Sequence, residues 1–248
     1  MQTKPRTWTV VAAITLLAAA SCGGAPPNPS SPAPATAKSP TPPPAKTVDT
    51  AVNSNGLRED REIDYAKPKG RMRIVCVGGA VTFGEGVSRD ATYAAWMQRN
   101  MRGRAYDVEV LNAGKPGRSL AESAALLENE LLKYQPSLVV VSVEPGGGTT
   151  AAADLQRIET LLKAKKIVYI LLAVPDYVAV EGYAPKPPSV YVVPSRAALA
   201  VFADKDAIVD DSGRWTEFAH KKMGNALAEL IVGAPLICCA TGPVPEKL

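Results

Sequence analysis

From Arg71 onward, short and nearly continuous apolar runs alternate with segments of helical periodicity. The apolar runs are residues 72–77, 108–111, 138–143 and 167–174. Strands that are buried on both faces of a parallel sheet have this composition. The helical segments are residues 119–134, 150–165 and 216–232. This alternation predicts an α/β fold, a three-layer α/β/α sandwich with a mostly parallel, flavodoxin-like sheet.

The first helical segment carries a clear start signal and one apolar face. Ser119 opens it with a capping box, because Glu122 stands three residues further on. Its inward face is predicted to consist of Leu120, Ala124, Leu127, Leu131 and Tyr134. The spacing of these residues is that of an amphipathic helix, which we expect to pack against the sheet.

Residues 175–194 interrupt the alternation and are rich in proline and tyrosine. A long loop after a parallel strand is frequently functional, so Tyr177 and Tyr183 are candidate ligand contacts. A surface insertion that packs its own tyrosines explains the same composition, and both interpretations stay open.

The N-terminus has the features of an export signal. Lys4 and Arg6 precede an apolar run over residues 10–20, which is too short to span a bilayer. The segment LAAASCGG resembles the signal of a bacterial lipoprotein, which is cleaved before a cysteine that carries acyl chains such as palmitate. The resemblance predicts a signal peptide over residues 1–21 and lipidation at Cys22. An ordinary secretory signal is the alternative.

Composition divides the rest of the chain. Residues 23–46 are packed with Pro, Ser, Ala and Thr, a composition that cannot bury a core. We therefore expect a Pro-rich disordered tether over residues 22–69, a folded domain over 70–234 and a tail over 235–248. Lipidation would make the membrane a partner and place the domain in the bacterial cell envelope. The outer membrane is favoured because glycine follows Cys22, while the inner membrane stays open.

The charge and the numbers of histidine and cysteine residues argue against some kinds of binding partner. The formal net charge is +4, and no basic cluster with interleaved aromatics is present, so no nucleic-acid partner is predicted. The chain has a single histidine and no Cys/His spacing typical of zinc, so neither a metal site nor a cofactor is predicted. Cys76 is expected to be a buried thiol. A link from it to Cys238 or Cys239, or free thiols, are both open.

Four sequence motifs lie where the ends of the strands and the start of the last helix should meet, at one edge of the sheet. They are GGAVTFGEGV over residues 78–87, LNAGKPGRS over 111–119, PSLVVVSVEPGG over 136–147 and DSGRWTEFAH over 211–220. In this order they resemble the blocks GDSxTxGxGV, NAGxxGxS, PDLVVVxxGxND and DxxHxTxxGH of the SGNH (GDSL-type) hydrolases. The resemblance covers residues 71–232 and implies the SGNH hydrolase fold.

The resemblance also implies a chemistry, the hydrolysis of acyl or glycan esters by a serine that histidine and aspartate activate. The family positions fall on Gly79, Ala80, Gly117, Gly146, Asp211 and Arg214. Ala80 takes the place of the serine, Gly146 that of an oxyanion-binding asparagine and Arg214 that of the catalytic histidine. Arginine cannot act as a base, but Arg214 could pair with Asp211 or hold an anionic ligand. We expect that no catalytic set is intact.

The only histidine, His220, matches the second histidine of the last block, at the start of the final helix. We therefore interpret it as a structural residue. The favoured hypothesis is a lipid-anchored envelope protein with a degenerate SGNH-like domain that binds or scaffolds a glycan, a peptide or a protein partner. The alternatives are an esterase with relocated chemistry at Thr82, Ser119 or Ser142, and a purely structural lipoprotein.

Overall fold

The computed structural model describes residues 49–144, 151–174, 190–194, 199 and 208–233, with the backbone alone described for 190–194. The strands are β1 (Met72–Gly78), β2 (Val108–Gly114), β3 (Leu138–Val143), β4 (Val168–Ala173) and β5 (Val190–Pro194). The helices are α1 (Ala80–Phe83), α2 (Tyr93–Gly103), α3 (Leu120–Asn129), α4 (Ala151–Ala164) and α5 (Glu217–Gly233). Short 3₁₀ turns cover Arg89–Ala91 and Leu131–Tyr134.

The strands form a five-stranded sheet in the order β2-β1-β3-β4-β5. Every pair is parallel. This is the flavodoxin-like order, and the predicted fold class is confirmed. Ligands in such sheets bind beyond the carboxyl ends of the strands. They bind near the point where the connections from the neighbouring strands β1 and β3 run to opposite sides of the sheet.

Each face of the sheet has its own core. Ile74 and Cys76 of β1 pack into one core with α2 and α5, while Val75 and Val77 pack into the other with α3 and α4. Both sides of a central strand are therefore apolar, which explains the continuous apolar runs in the sequence. Cys76 is a free, fully buried thiol, and burial raises its pKa.

Besides the short helix α1 and the 3₁₀ turn Arg89–Ala91, two longer elements were not predicted. Residues 190–194 form β5 at the sheet edge, so the segment interpreted as a loop to residue 194 ends in a strand. Helix α2 contacts α5 extensively and was missed because few of its residues are large and apolar and polar residues separate them. Among the described residues, no helix combines the length and the apolar composition that crossing a membrane requires.

Residues 49–69, which we call the N-terminal strap, pack along the outer edge of β2. The Arg58 N–H donates to the Asn112 carbonyl at 2.8 Å, and the Asn112 N–H donates to Glu59 Oε1 at 3.0 Å. Leu57 is buried in the second core. These contacts attach the described residues of the strap to the domain.

Candidate functional site

A cavity of about 240 Å³ opens beyond the carboxyl ends of β1, β3 and β4. Its apolar wall consists of Ala80, Val81, Val174, Val209 and Trp215, and its polar wall of Glu85, Glu144, Arg214 and His220. The cavity lies where the motifs converge, at the edge that the fold makes available for ligands.

Ala80 stands at the first position of α1, directly after β1 and Gly79. This strand–turn–helix geometry aims the side chain of residue 80 into the cavity mouth, but alanine supplies only a methyl group there. Two backbone N–H groups at the start of α1, those of Gly79 and Val81, are already engaged. Gly79 N–H donates to Glu144 Oε1 at 2.9 Å, and Val81 N–H donates to Glu144 Oε2 at 3.3 Å.

Glu144 is the residue that the sequence analysis missed. It follows β3 directly, at the position where the block PDLVVVxxGxND has its glycine. Ser142 Oγ donates a further hydrogen bond to Glu144 Oε1 at 3.1 Å. A carboxylate with both oxygens bound to donors therefore fills the backbone pocket at α1, which is a favourable place for negative charge.

Gly79 and Glu144 are sterically coupled. A Cβ atom on Gly79 would lie 2.6 Å from Glu144 Oε2 and 2.9 Å from its Cδ. Real Cβ atoms do not approach other atoms this closely, so any side chain at position 79 would displace the carboxylate. The aspartate of the GDS motif is thus incompatible with the observed position of Glu144.

Arg214 lies in the turn before α5, which the bridge between Val209 and Trp215 closes. Its Nη2 and Nε lie 2.8 and 2.9 Å from Asp210 Oδ2. The hydrogen bonds from Arg214 hold the pKa of Asp210 below its usual range. The suggested pairing with Asp211 is therefore corrected to Asp210, because the Asp210 side chain also accepts the N–H of Ser212 and folds back across the turn. Asp211 is exposed and does not line the cavity.

His220 lies inside α5 and forms part of the cavity's inner wall, where it is 1% exposed. Its Nδ1 accepts the Tyr93 N–H at 3.2 Å, and its ring packs against Tyr93 and the edge of Trp215. Burial, assisted by the charge of Arg58, lowers the pKa of His220 to about 3. The imidazole is therefore neutral at ordinary pH and carries its proton on Nε2. This placement agrees with the predicted structural role.

The other candidate residues lie apart from the cavity. Gly117 lines a separate surface depression beside α3. Thr82 Oγ1 contacts the Tyr93 hydroxyl at 3.1 Å in the core, and Ser119 caps α3 in the predicted capping box. Ser142 is 3% exposed and is bound to Glu144. Cys22, Gly146, Tyr177, Tyr183, Cys238 and Cys239 lie outside the described residues.

Comparison with solved structures identifies the fold. A G-D-S-L family protein from Desulfitobacterium hafniense matches with a TM-score of 0.54 and 17% identity, covering 64% of this chain and 99% of its own. The lipase/acylhydrolase from Enterococcus faecalis matches with a TM-score of 0.52 and 20% identity, over 65% of this chain and 96% of its own.

The psychrotrophic esterase EstA from Pseudoalteromonas sp. matches with a TM-score of 0.52 and 13% identity, over 65% of this chain and 97% of its own. No protein-family model and no curated protein matches the sequence. At these sequence identities the comparisons show the fold of this chain and not its activity.

Proposed function

Starting from a domain with the SGNH hydrolase fold, we propose that this protein binds or scaffolds a ligand in the bacterial cell envelope without performing ester hydrolysis. In this proposal Cys22 anchors the chain to the membrane, with the outer membrane favoured. The partner is an envelope glycan, a peptide strand or a protein. The observation that carries the proposal is the Glu144 carboxylate bound to the N–H groups of Gly79 and Val81.

The missing serine and the carboxylate of Glu144 oppose the family's reaction. Hydrolysis through a serine needs an attacking oxygen, and Ala80 has none. It also needs hydrogen-bond donors for the oxyanion, and the loss of one such donor, as when Gly146 replaces the asparagine, lowers the rate by about 100- to 1,000-fold. Here a fixed negative charge lies on the N–H group of Gly79, next to the place where another negative charge would have to develop. Glu144 therefore counteracts the chemistry beyond the loss of the serine.

The cavity's size and lining indicate the kind of group that it takes. At about 240 Å³ it lies below the usual range for a drug-sized ligand, and its described lining leaves no long apolar channel for an acyl chain. Trp215 offers an apolar wall, while Glu85 and Glu144 offer carboxylate acceptors. A single sugar ring or one amino-acid side chain with hydroxyl or ammonium donors suits this combination.

One contact favours the alternative, an esterase with relocated residues. Ser142 Oγ donates to Glu144 Oε1 at 3.1 Å, which pairs a hydroxyl group with a base. The same serine is 3% exposed and does not line the cavity, so a substrate carbonyl has no approach to it. Binding without hydrolysis therefore agrees better with the geometry.

The test uses the full chain in two assays. Hydrolysis is measured with short acyl esters and acetylated sugars, for the native protein and for Ser142→Ala. Binding is measured on envelope glycan fragments and peptides, for the native protein and for Glu144→Gln, with the exposed Glu128→Gln as the matched control.

We expect hydrolysis at the uncatalysed rate and binding that Glu144→Gln weakens while Glu128→Gln does not. Hydrolysis above background that disappears in Ser142→Ala would refute the proposal in favour of the alternative. Absence of binding to every fragment and peptide would favour a purely structural role.

A further inference from the structure

One side chain of the N-terminal strap reaches the loop that leads out of α1. Arg58 is buried, and its guanidinium donates to four backbone carbonyls, those of Asp49, Phe83, Gly84 and Val87. The bonds to Gly84 and Val87 measure 2.9 and 2.8 Å. Asp49 belongs to the strap, while the other three carbonyls belong to residues 83–87, which we call the cavity loop. One guanidinium therefore joins the strap to this loop.

The cavity loop forms part of the candidate site. It begins at the last residue of α1, and Glu85 lies on the polar wall of the cavity at Ala80. Gly86 faces Arg214, since a Cβ atom on Gly86 would lie 3.2 Å from Arg214 Nε. The loop thus contacts the strap through Arg58 and borders the cavity through Glu85.

The backbone of the cavity loop requires support from outside. The N–H groups of Gly84 and Glu85 both donate to the Ala80 carbonyl, at 2.9 and 3.0 Å. Carbonyl groups at the end of a helix have no partner inside the helix, and a cationic side chain is one of the groups that satisfy them. Gly84 and Gly86 have φ angles of 81° and 91°, and glycine loses more conformational freedom on ordering than any other residue. The donors of Arg58 offset part of this cost.

The packing around Arg58 is specific to an arginine in this orientation. Its guanidinium lies 4.3 Å from the centroid of the Phe83 ring. A Cβ atom on Gly84 would lie 2.9 Å from Arg58 Nη1, so the carbonyl of Gly84 is reached only because this residue has no side chain. A lysine lacks the planar fork that stacks on a ring while it donates to several acceptors.

We propose that Arg58 is a positioning residue for the candidate site, because it holds the cavity loop where Glu85 borders the cavity. Loss of Arg58 releases the loop locally, while the sheet and its helices stay folded. The consequence for ligand binding rests on the proposed function, in which Glu85 offers an acceptor to the ligand. The positioning itself requires no ligand and is measured without one.

Hydrogen exchange of the full chain, followed by NMR, is the test. Arg58→Met keeps a side chain of similar length and removes its donors. We expect the amides of Gly84, Glu85 and Val87 to exchange about 10- to 100-fold faster than in the native protein, because three hydrogen bonds to the loop are lost. Urea unfolding and the amides of the central strand β3 report the change in global stability.

The matched control is Arg73→Met, which also removes a buried arginine that holds the strap. Arg73 Nη1 donates to the strap carbonyls of Asp64 and Tyr65 at 3.0 and 3.1 Å, and its side chain pairs with Glu109 at 2.7 Å. These partners lie outside the cavity loop. We expect Arg73→Met to speed exchange in β3 through lower global stability and to leave the loop amides within about twofold of the native rates.

Arg58→Lys serves if Arg58→Met does not fold. A lysine restores the charge and some of the donors, so the loop amides should exchange about three- to tenfold faster than in the native protein. Loop exchange at the native rate in the Arg58 variants would overturn the proposal. Equal acceleration by Arg73→Met would overturn it as well, because that is the result for a role in global stability alone.

D-glucosamine tests the consequence for binding, since it is a single sugar ring with hydroxyl and ammonium donors. Calorimetry should show binding to the native protein that Arg58→Met weakens about tenfold and Arg73→Met leaves within about twofold. Equal binding by the native protein and Arg58→Met would overturn the link between Arg58 and the ligand. Absence of binding to the native protein would count against the proposed function, while the exchange rates still decide whether Arg58 positions the loop.

Discussion

Acidification from pH 7 to pH 4.5 is expected to destabilise the fold through His220. The pKa of this imidazole is about 3 in the folded protein, because it is buried beside Tyr93 and Trp215. The unfolded chain has an ordinary histidine pKa of about 6.5. Between these two values the unfolded state binds a proton that the folded state does not, so stability falls as the pH falls.

The size of this effect follows from the two pKa values. At about 1.4 kcal/mol per unit, protonation of the unfolded chain lowers the free energy of unfolding by about 2.5 kcal/mol between pH 7 and pH 4.5. His220 is fully buried, so solvent screening does not reduce this figure. In His220→Gln the amide oxygen can still accept the Tyr93 N–H, and this part of the acid sensitivity should disappear.

The assay is urea unfolding at both pH values, for the native protein and for His220→Gln. NMR gives an independent measurement, because the chain has one histidine and its ring signal is unambiguous. We expect that signal not to titrate between pH 8 and pH 4.5. A folded-state pKa near 6.5, or an equal loss of stability on acidification in both proteins, would refute the structural role of His220.

Three further predictions concern stability. Glu59→Gln should raise the free energy of unfolding at pH 8 by about 2–3 kcal/mol and change it little at pH 4.5. The reason is that the folded protein keeps the proton of Glu59 to about pH 7 and loses stability as this carboxyl ionises. Equal effects in urea unfolding at both pH values would contradict this. Gly79→Ala should destabilise by about 1–3 kcal/mol through its clash with Glu144. In a double-mutant cycle most of that loss should be absent when Glu144→Ala is already present, and additive effects would argue against the contact. Ser119→Ala should cost about 1 kcal/mol in urea unfolding by removing the cap of α3, and a neutral result would contradict the capping role.

The sequence was sufficient for strands β1 to β4 because their signal is local. Strands such as Leu138–Val143 are buried on both faces and appear as unbroken apolar runs. Helix α2 and strand β5 escaped prediction for the opposite reason. The polar residues of α2 obscure its apolar face, and β5 lies in a proline-rich stretch.

The candidate site was predictable only in part. The motifs indicated where Ala80 and Arg214 lie, since Ala80 comes directly after β1 and Arg214 just before α5, two elements whose positions the fold determines. The role of Glu144 depends on the adjacency of β1 and β3, which brings its carboxylate to the N–H group of Gly79. Asp210 and Asp211 are neighbours in sequence, and only the turn geometry decides which of them pairs with Arg214.

The central claim is that the Glu144 carboxylate, bound to the N–H groups of Gly79 and Val81, opposes ester hydrolysis at this site. The most direct measurement compares ester turnover by two variants of the full chain, one with Ala80→Ser, Gly146→Asn and Arg214→His, and one with Glu144→Gly in addition. The account predicts background hydrolysis of a short acyl ester by the first variant and measurable turnover by the second. Equal activity in both variants, or no activity in either, would contradict it.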